Sequence, residues 1–338
     1  MSEKLENFFR NKKILVTGGT GSIGSNIVKQ LLSFEVEEVV VFSRDEIKQF
    51  MMRRMINDER LGFVVGDVRD VSSLEKVFHC HDFDITYHTA AMKHVVVCEE
   101  NPFEAVKTNI LGTENVVNLA HKYGVSKLIN ISTDKAVQPQ NVMGATKFIS
   151  ERIVLNANYT SVRLGNIANT RGSVIPVLVE EMIKKKQITI TDPNVTRFVM
   201  KMSEATKFIL NATFYAEGGE IFIPKMKAFN LADLAYVLTY QIAPILGIRS
   251  EEIKVNVIGL LRGEKMHEVL IDESELPYLH IYDNFYILKP NHPRWSDVGK
   301  HLVISSNFAE KLTRDELKEI VQEYIKKLLN KTSLWWLV

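Results

Sequence analysis

The sequence has little that would take it outside the ordinary globular class. It holds two cysteines, Cys80 and Cys98, in 338 residues, too few for a disulfide framework and suited to a reducing compartment. Charges nearly cancel, 42 Lys and Arg against 41 Asp and Glu. No overall field therefore draws nucleic acid or an anionic membrane, and any anion must be held by a local site. No apolar run reaches the roughly 20 residues of a membrane-spanning helix, and the opening MSEKLENFFRNKK lacks the apolar core of a secretory leader. The greasy closing run SLWWLV is short and is expected to pack on a neighbouring surface. Internal repeats and low-complexity tracts are absent. These absences imply a cytoplasmic protein with no nucleic-acid partner and no membrane insertion, long enough for one large domain and a smaller lobe.

What is present is an alternation. Short β-branched runs (KILVTG, EEVVVFS, GFVVGD, DITYHTA, KLINIST, SVRLGN) are separated by amphipathic stretches such as GSNIVKQLLSF and ATKFISERIVLNAN. Nearly continuous apolar strands joined by helices predict an α/β fold with a Rossmann-type, doubly wound parallel sheet. After Asn166 the pattern loosens. The expected organisation is a dinucleotide-binding domain over 1–165, a mainly substrate-binding lobe over 166–292 with segments returning to the first domain, and a helical tail over 293–338.

VTGGTGSIG follows the first strand and opens the first helix, the setting in which a glycine loop holds a pyrophosphate. Gly18 serves the tight turn, Gly21 the approach of the phosphates and Gly24 the packing of helix on strand. Thr20, Ser22 and Ile23 complete the loop, whose free N–H groups face the negative charge. At the end of the second strand, FSRDE puts Ser43 and Arg44 where an NADP 2′-phosphate would sit, rather than the acidic residue usual for NAD. Asp45 complicates this, because its charge would repel that phosphate if it pointed inward. The reading favours NADP over NAD. Asp67 and Val68 end the third strand near an adenine edge, and Ala90 and Ala91 leave room for the cofactor after the fourth.

These motifs, with AAMKHV, NPFEAVKTNILGTENV, STDKAVQPQNVMGATK, RLGNIANTRGSVIP, TDPNVTRFVM and GEKMHEVL, resemble an extended short-chain dehydrogenase/reductase acting on nucleotide sugars. More narrowly, the chain is similar to the soluble UDP-N-acetylglucosamine 4,6-dehydratases, including the C5-inverting type, from about Lys13 to Leu270. In the wider family a Ser or Thr is followed by Tyr-x-x-x-Lys. Here Lys147 is present but Met143 holds the tyrosine position. Several members of the narrower branch make the same replacement and keep the TDK triplet, so methionine argues for this branch.

The resemblance implies that C4 is oxidised, water is eliminated across C5 and C6, and the hydride is returned to C6. It implies Asp134 as the acid for the departing C6 hydroxyl, Lys135 as the C5 base, Thr133 on the C4 oxygen and Lys147 on the nicotinamide ribose. A basic Lys135 requires a pKa lowered toward neutrality by burial or by a cation such as Lys147 or Lys93. The group that takes the C4 hydroxyl proton is expected to be Lys135, through Thr133 or water. Lys93 and Asn109 join the cofactor set, and Lys93 also the substrate set. Asn166, Ser173, Val174 and Arg197 are implied to hold the diphosphate. In GLLRGEK the family's arginine position holds Leu261, with Arg262 one residue late and Glu264 in register for the uridine. HCHD (His79 to Asp82) is read as a helix-to-strand connection and not as a metal site. The implied partner is a UDP-sugar, with pairing into at least a homodimer through the NPFEAV and MGATKFISE helices. Two other functions fit less well: a UDP-hexose 4-epimerase, whose chemistry leans on the missing tyrosine, and a non-catalytic NADP-sensing protein, which would have no use for an acid–base pair.

Overall fold

The computed structural model describes residues 2–290 and 304–329. Its strands are β1 (Lys13–Thr17), β2 (Glu38–Ser43), β3 (Leu61–Val65), β4 (Ile85–His88), β5 (Lys127–Thr133), β6 (Thr160–Leu164), β7 (Asn166–Ile167) and β8 (Gln187–Ile190), then β9 (Thr196–Met200), β10 (Ile221–Pro224), β11 (Lys227–Asn230), β12 (Lys254–Val257), β13 (Val269–Ile271), β14 (Leu279–Ile281), β15 (Phe285–Leu288) and β16 (Ile304–Ser305). Nine of them form one sheet in the order β14-β15-β10-β6-β5-β4-β1-β2-β3. The run from β3 to β10 is parallel, and β15 and β14 close that edge antiparallel.

Both faces of the sheet are covered, which explains the continuous apolar strands. Ile14, Val16, Val39 and Val41 pack with Phe9, Ile27 and Leu31 on one side. Leu15, Val40 and Phe42 alternate to the other side and meet Leu74, Phe78 and Val116. Strand order reverses between β1 and β4, the switch point where an open α/β sheet leaves a crevice beyond its carboxyl ends.

The second half of the chain returns to the sheet through β10, β14 and β15, and otherwise builds a separate core. There the helix Val174–Lys185 packs Val179 and Met182 against Ile188, Val195 and Leu234. The helix Arg314–Leu329, expected as part of a tail, buries Leu317, Val321 and Tyr324 in this same core. The SLWWLV run lies outside the described residues. Among the described residues no helix is long and apolar enough to cross a membrane, and Cys80 and Cys98 are unpaired.

One buried ion cluster ties the two halves together. Arg163 on β6 is almost wholly buried. Its guanidinium donates to both carboxylate oxygens of Glu151 at 3.0 and 2.8 Å, to both of Glu275 at 2.9 and 2.8 Å, and to the Leu270 carbonyl at 2.8 Å. Glu151 lies on the helix Val142–Asn156 that also carries Lys147. Burying such charges is favourable only while every partner is present. Glu151→Ala is therefore expected to cost about 3–5 kcal/mol in urea unfolding; a loss below about 1 kcal/mol would mean that the cluster is solvated.

Candidate active site

The glycine loop sits at the switch point. Gly18 has φ +66°, and a Cβ there would lie 2.7 Å from the Ala90 backbone, so the loops after β1 and β4 touch only because the residue is glycine. A Cβ on Gly24 would meet the Gly18 carbonyl at 2.6 Å. The helix Ser22–Leu31 starts at Gly21 with no side chain capping it, which leaves its first N–H groups for an anion. Beside it lies a cleft of about 310 Å³ lined by Gly18, Thr20, Gly21, Ser43, Arg44, Asp67, Val68, Ala90 and Ala91, with Thr108 and Arg171 among the other walls. Ser22, Ile23 and Gly24 form the first helical turn and do not line the cleft. The cradle and the uncapped helix fit a dinucleotide.

Asp45 also lines the cleft, but its carboxylate is committed. It caps the helix Glu46–Ile56 by accepting from the Lys48 N–H at 2.9 Å, and it pairs with Lys48 Nζ at 2.5 Å. Arg44 keeps 59% of its side chain exposed and approaches Asp67 at 3.5 Å. Burial would raise the Asp67 pKa, but hydrogen bonds and charge from Arg69 hold it below the usual carboxylate range.

At the end of β5, Thr133, Asp134 and Lys135 come together. Thr133 Oγ1 donates to Asp134 Oδ1 at 2.9 Å. Lys135 Nζ lies 3.0 Å from that same oxygen, 3.3 Å from Asn166 Oδ1 and 3.1 Å from Glu268 Oε1. Asp134 has no exposed surface, and its Oδ2 has no hydrogen-bond partner among the described residues. Burial raises the Asp134 pKa; Lys135 pulls it back only in part, and Glu268 adds to the rise. Lys135 corrects an expectation. Burial alone would lower its pKa, but Asp134 and Glu268 outweigh burial and hold the ammonium above the ordinary lysine value. Its close neighbours are carboxylates, where Lys147 and Lys93 were expected. The proton of the Thr133 hydroxyl likewise points to Asp134, not to Lys135.

Met143 is buried in a small apolar cluster with Cys98 and Ala105. Asn109 is buried too, and its amide is spent on structure: Oδ1 accepts from Met92 N at 2.8 Å, while Nδ2 donates to Met92 O and Thr146 Oγ1, each at 2.9 Å. It clamps the turn after β4 and does not face the cleft. His88, in the same interior, is held neutral by burial and by Lys147, with its pKa lowered to about 3. Lys93 Nζ donates to the Arg171 carbonyl at 2.7 Å.

In the lobe, Arg197 on β9 donates to Glu264 Oε1 at 2.6 Å and to the Thr196 carbonyl at 2.8 Å. The Glu264 carboxylate expected near uridine is thus engaged by Arg197. Ser173 sits at the N-terminus of the helix Val174–Lys185 without capping it through its side chain, and its buried hydroxyl has no partner among the described residues. Arg262 does not join this group. Its side chain is 93% exposed, and its ion-pair neighbour among the described residues is Glu99 at 4.0 Å.

Three residues at the site escaped the sequence reading. Arg171 donates to the Thr20 carbonyl at 3.0 Å and so latches the lobe onto the glycine loop; its place in NTRGSVIP was the available signal. Glu268 reaches Lys135 from GEKMHEVL, and Lys265 of the same segment donates to the Val137 carbonyl at 2.6 Å; only Glu264 had been singled out there. Lys147 carries a pH signature. Burial, partly offset by Glu151, lowers its pKa from 10.5 to about 8. The unfolded chain then holds the extra proton between about 8 and 10.5, so this group's destabilisation is complete below pH 8 and fades across that window. Lys147→Met should raise the urea midpoint of the cofactor-free protein at pH 7, with the gain shrinking toward pH 10. An equal gain at both pH values would contradict the buried charge.

Residues 14–290 match the family model described as polysaccharide biosynthesis protein. Three relatives align over most of their length. An uncharacterized membrane protein of Methanocaldococcus jannaschii is 41% identical over 96% of this chain and 99% of its own. A UDP-N-acetylglucosamine 4,6-dehydratase (inverting) of Campylobacter jejuni is 38% identical over 84% of each chain. A UDP-glucose 4-epimerase of Rickettsia bellii is 35% identical over 95% of this chain and 96% of its own. Among solved structures, Pen from Bacillus thuringiensis superposes with a TM-score of 0.88 at 35% identity, covering 94% of this chain and 99% of that one. The chain belongs to the polysaccharide biosynthesis protein family.

Proposed function

We propose that this chain is an NADP-dependent UDP-N-acetylglucosamine 4,6-dehydratase that makes a UDP-4-keto-6-deoxy-N-acetylhexosamine for surface-glycan synthesis in the cytoplasm. The carrying observation is the linked Thr133–Asp134–Lys135 set at the sheet's carboxyl edge, in a site whose tyrosine position holds a buried methionine. NADP is favoured by Arg44, Lys48 and Arg171 on the cleft wall and by the commitment of Asp45 to its helix cap. Bound there, the nicotinamide would take the C4 hydride and return it to C6. Lys147 would hold the adjoining ribose.

The chain's own residues account for the protons. Thr133 accepts from the C4 hydroxyl and passes its own proton to Asp134 Oδ1, the oxygen it already faces. Asp134 then gives that proton to the C6 hydroxyl as it leaves. One proton thus travels from O4 to the departing water, and no tyrosine is needed. A carboxyl with a raised pKa suits both halves of the task, because a group poised near the working pH both accepts and donates efficiently. Lys135 removes the C5 proton. Asn166, Arg197, Ser173 and the N-terminus of the Val174–Lys185 helix would hold the diphosphate; the buried unpartnered Ser173 hydroxyl supports this. Exposed Val96, Val97, Phe103, Phe148 and Ile149 on the helices at Val95–Glu100, Pro102–Val106 and Val142–Asn156 form the face through which two copies would pair.

The epimerase reading is kept alive by the Rickettsia relative; there no water is lost, and the hydride returns to the other face of C4. Incubation with UDP-N-acetylglucosamine separates the two. The dehydratase gives a product lighter by one water, with a new C6 methyl signal and no net reduction of NADP; an unchanged mass with a UDP-N-acetylgalactosamine spectrum means epimerase. Thr133→Val should lower kcat by about 10²–10⁴-fold while leaving NADP affinity intact. A small effect would remove Thr133 from the proton path.

A further inference from the structure

The Lys135 ammonium raises a chemical problem that the dehydratase reading leaves open: a protonated amine cannot remove the C5 proton. Glu268 stands where it can solve this. It is brought from 133 positions downstream, the difference between 268 and 135, and is pinned through its backbone, whose N–H donates to Ser306 Oγ at 2.9 Å and whose carbonyl accepts from Ser306 N at 2.8 Å. Its side chain is 3% exposed. Oε1 lies 3.1 Å from Lys135 Nζ, while Oε2 is buried with no hydrogen-bond partner among the described residues. The charged groups around it are Lys135 and Asp134 from the end of β5, Arg197 from β9 and Lys265 from its own segment, the last at 3.9 Å. Burial favours a protonated Glu268, but the three cations outweigh it, so the resting pair is ammonium and carboxylate.

We propose that Glu268 is the positioning residue for Lys135: its carboxylate takes the ammonium proton and frees the amine to act as the C5 base. The inference rests on the dehydratase reading above. The Lys135 N–H bond breaks as the Glu268 O–H bond forms. The amine lone pair then takes the C5 proton, the C5–H electrons become the C5–C6 double bond, and the C6–O bond breaks as Asp134 protonates the leaving oxygen. Return of the Glu268 proton resets the pair after C5 is reprotonated. The driving force is desolvation. A substrate that fills the site removes the remaining water from the ion pair, and a drier surrounding favours the neutral form of each partner.

Glu268→Gln keeps the shape and an acceptor oxygen but cannot take the proton. In the full-length protein it should lower kcat about 100-fold at pH 7, with the loss shrinking at alkaline pH as Lys135 gives its proton to solvent instead. Glu268→Asp should retain more of the neutral-pH rate. A loss that is equal at every pH, or no loss at pH 7, overturns the proposal. A second readout needs no sugar: in protein labelled with ¹³Cε-lysine, the resonance missing from Lys135→Arg reports Lys135, and Glu268→Gln should shift its titration midpoint downward. An unmoved midpoint overturns the proposal even if wild-type protein fails to turn over UDP-N-acetylglucosamine, a failure that would instead count against the dehydratase reading.

Discussion

The structure of the site depends on one buried contact, the Lys135 ammonium held between Asp134 and Glu268 at 3.0 and 3.1 Å. An ammonium with so little access to water needs anionic partners, and a carboxylate with none needs a cation. Each requirement is met by a different part of the chain, one at the end of β5 and one from the segment leading into β13. Satisfying it draws the lobe onto the sheet edge. Arg163 does the same beneath it, and Arg171 does so at the glycine loop. The seam between lobe and sheet rests on these three ties as well as on apolar packing.

Electrostatics at this contact set the charge states of its members. Burial pushes Asp134 and Lys135 toward their neutral forms, but proximity separates them: the lysine is held charged by its carboxylates, and the aspartate is pushed up by Glu268. In the proposed mechanism Thr133, whose hydroxyl donates to Asp134, would supply the link between substrate oxygen and carboxyl that a tyrosine would otherwise provide. The methionine, buried among Cys98 and Ala105, is a packing residue on the helix Val142–Asn156.

Much of this was legible in the sequence because it is local. The glycine loop and the alternating strands and helices of a parallel sheet are set by periodicity and short spacing, while the Thr133–Asp134–Lys135 triplet was singled out by the family resemblance. What was not legible is long-range or depends on side-chain direction. Glu268 is remote in sequence, and only the return of the chain brings it to Lys135, which reversed the expected direction of the lysine pKa. Arg262 and Asn109 occupy plausible positions, but one points to solvent and the other spends its amide on the Met92 turn. The helix Arg314–Leu329 reads as a tail in one dimension, yet its apolar stripe completes the lobe core.

The central claim is that the site stores the C4 hydride and delivers it to C6. The most direct measurement uses UDP-N-acetylglucosamine deuterated at C4 and locates the label in the product by NMR. The account predicts deuterium in the new C6 methyl group, carried over without dilution by unlabelled NADPH in the medium. Deuterium found back at C4, on a sugar that still holds its C6 hydroxyl, would contradict it.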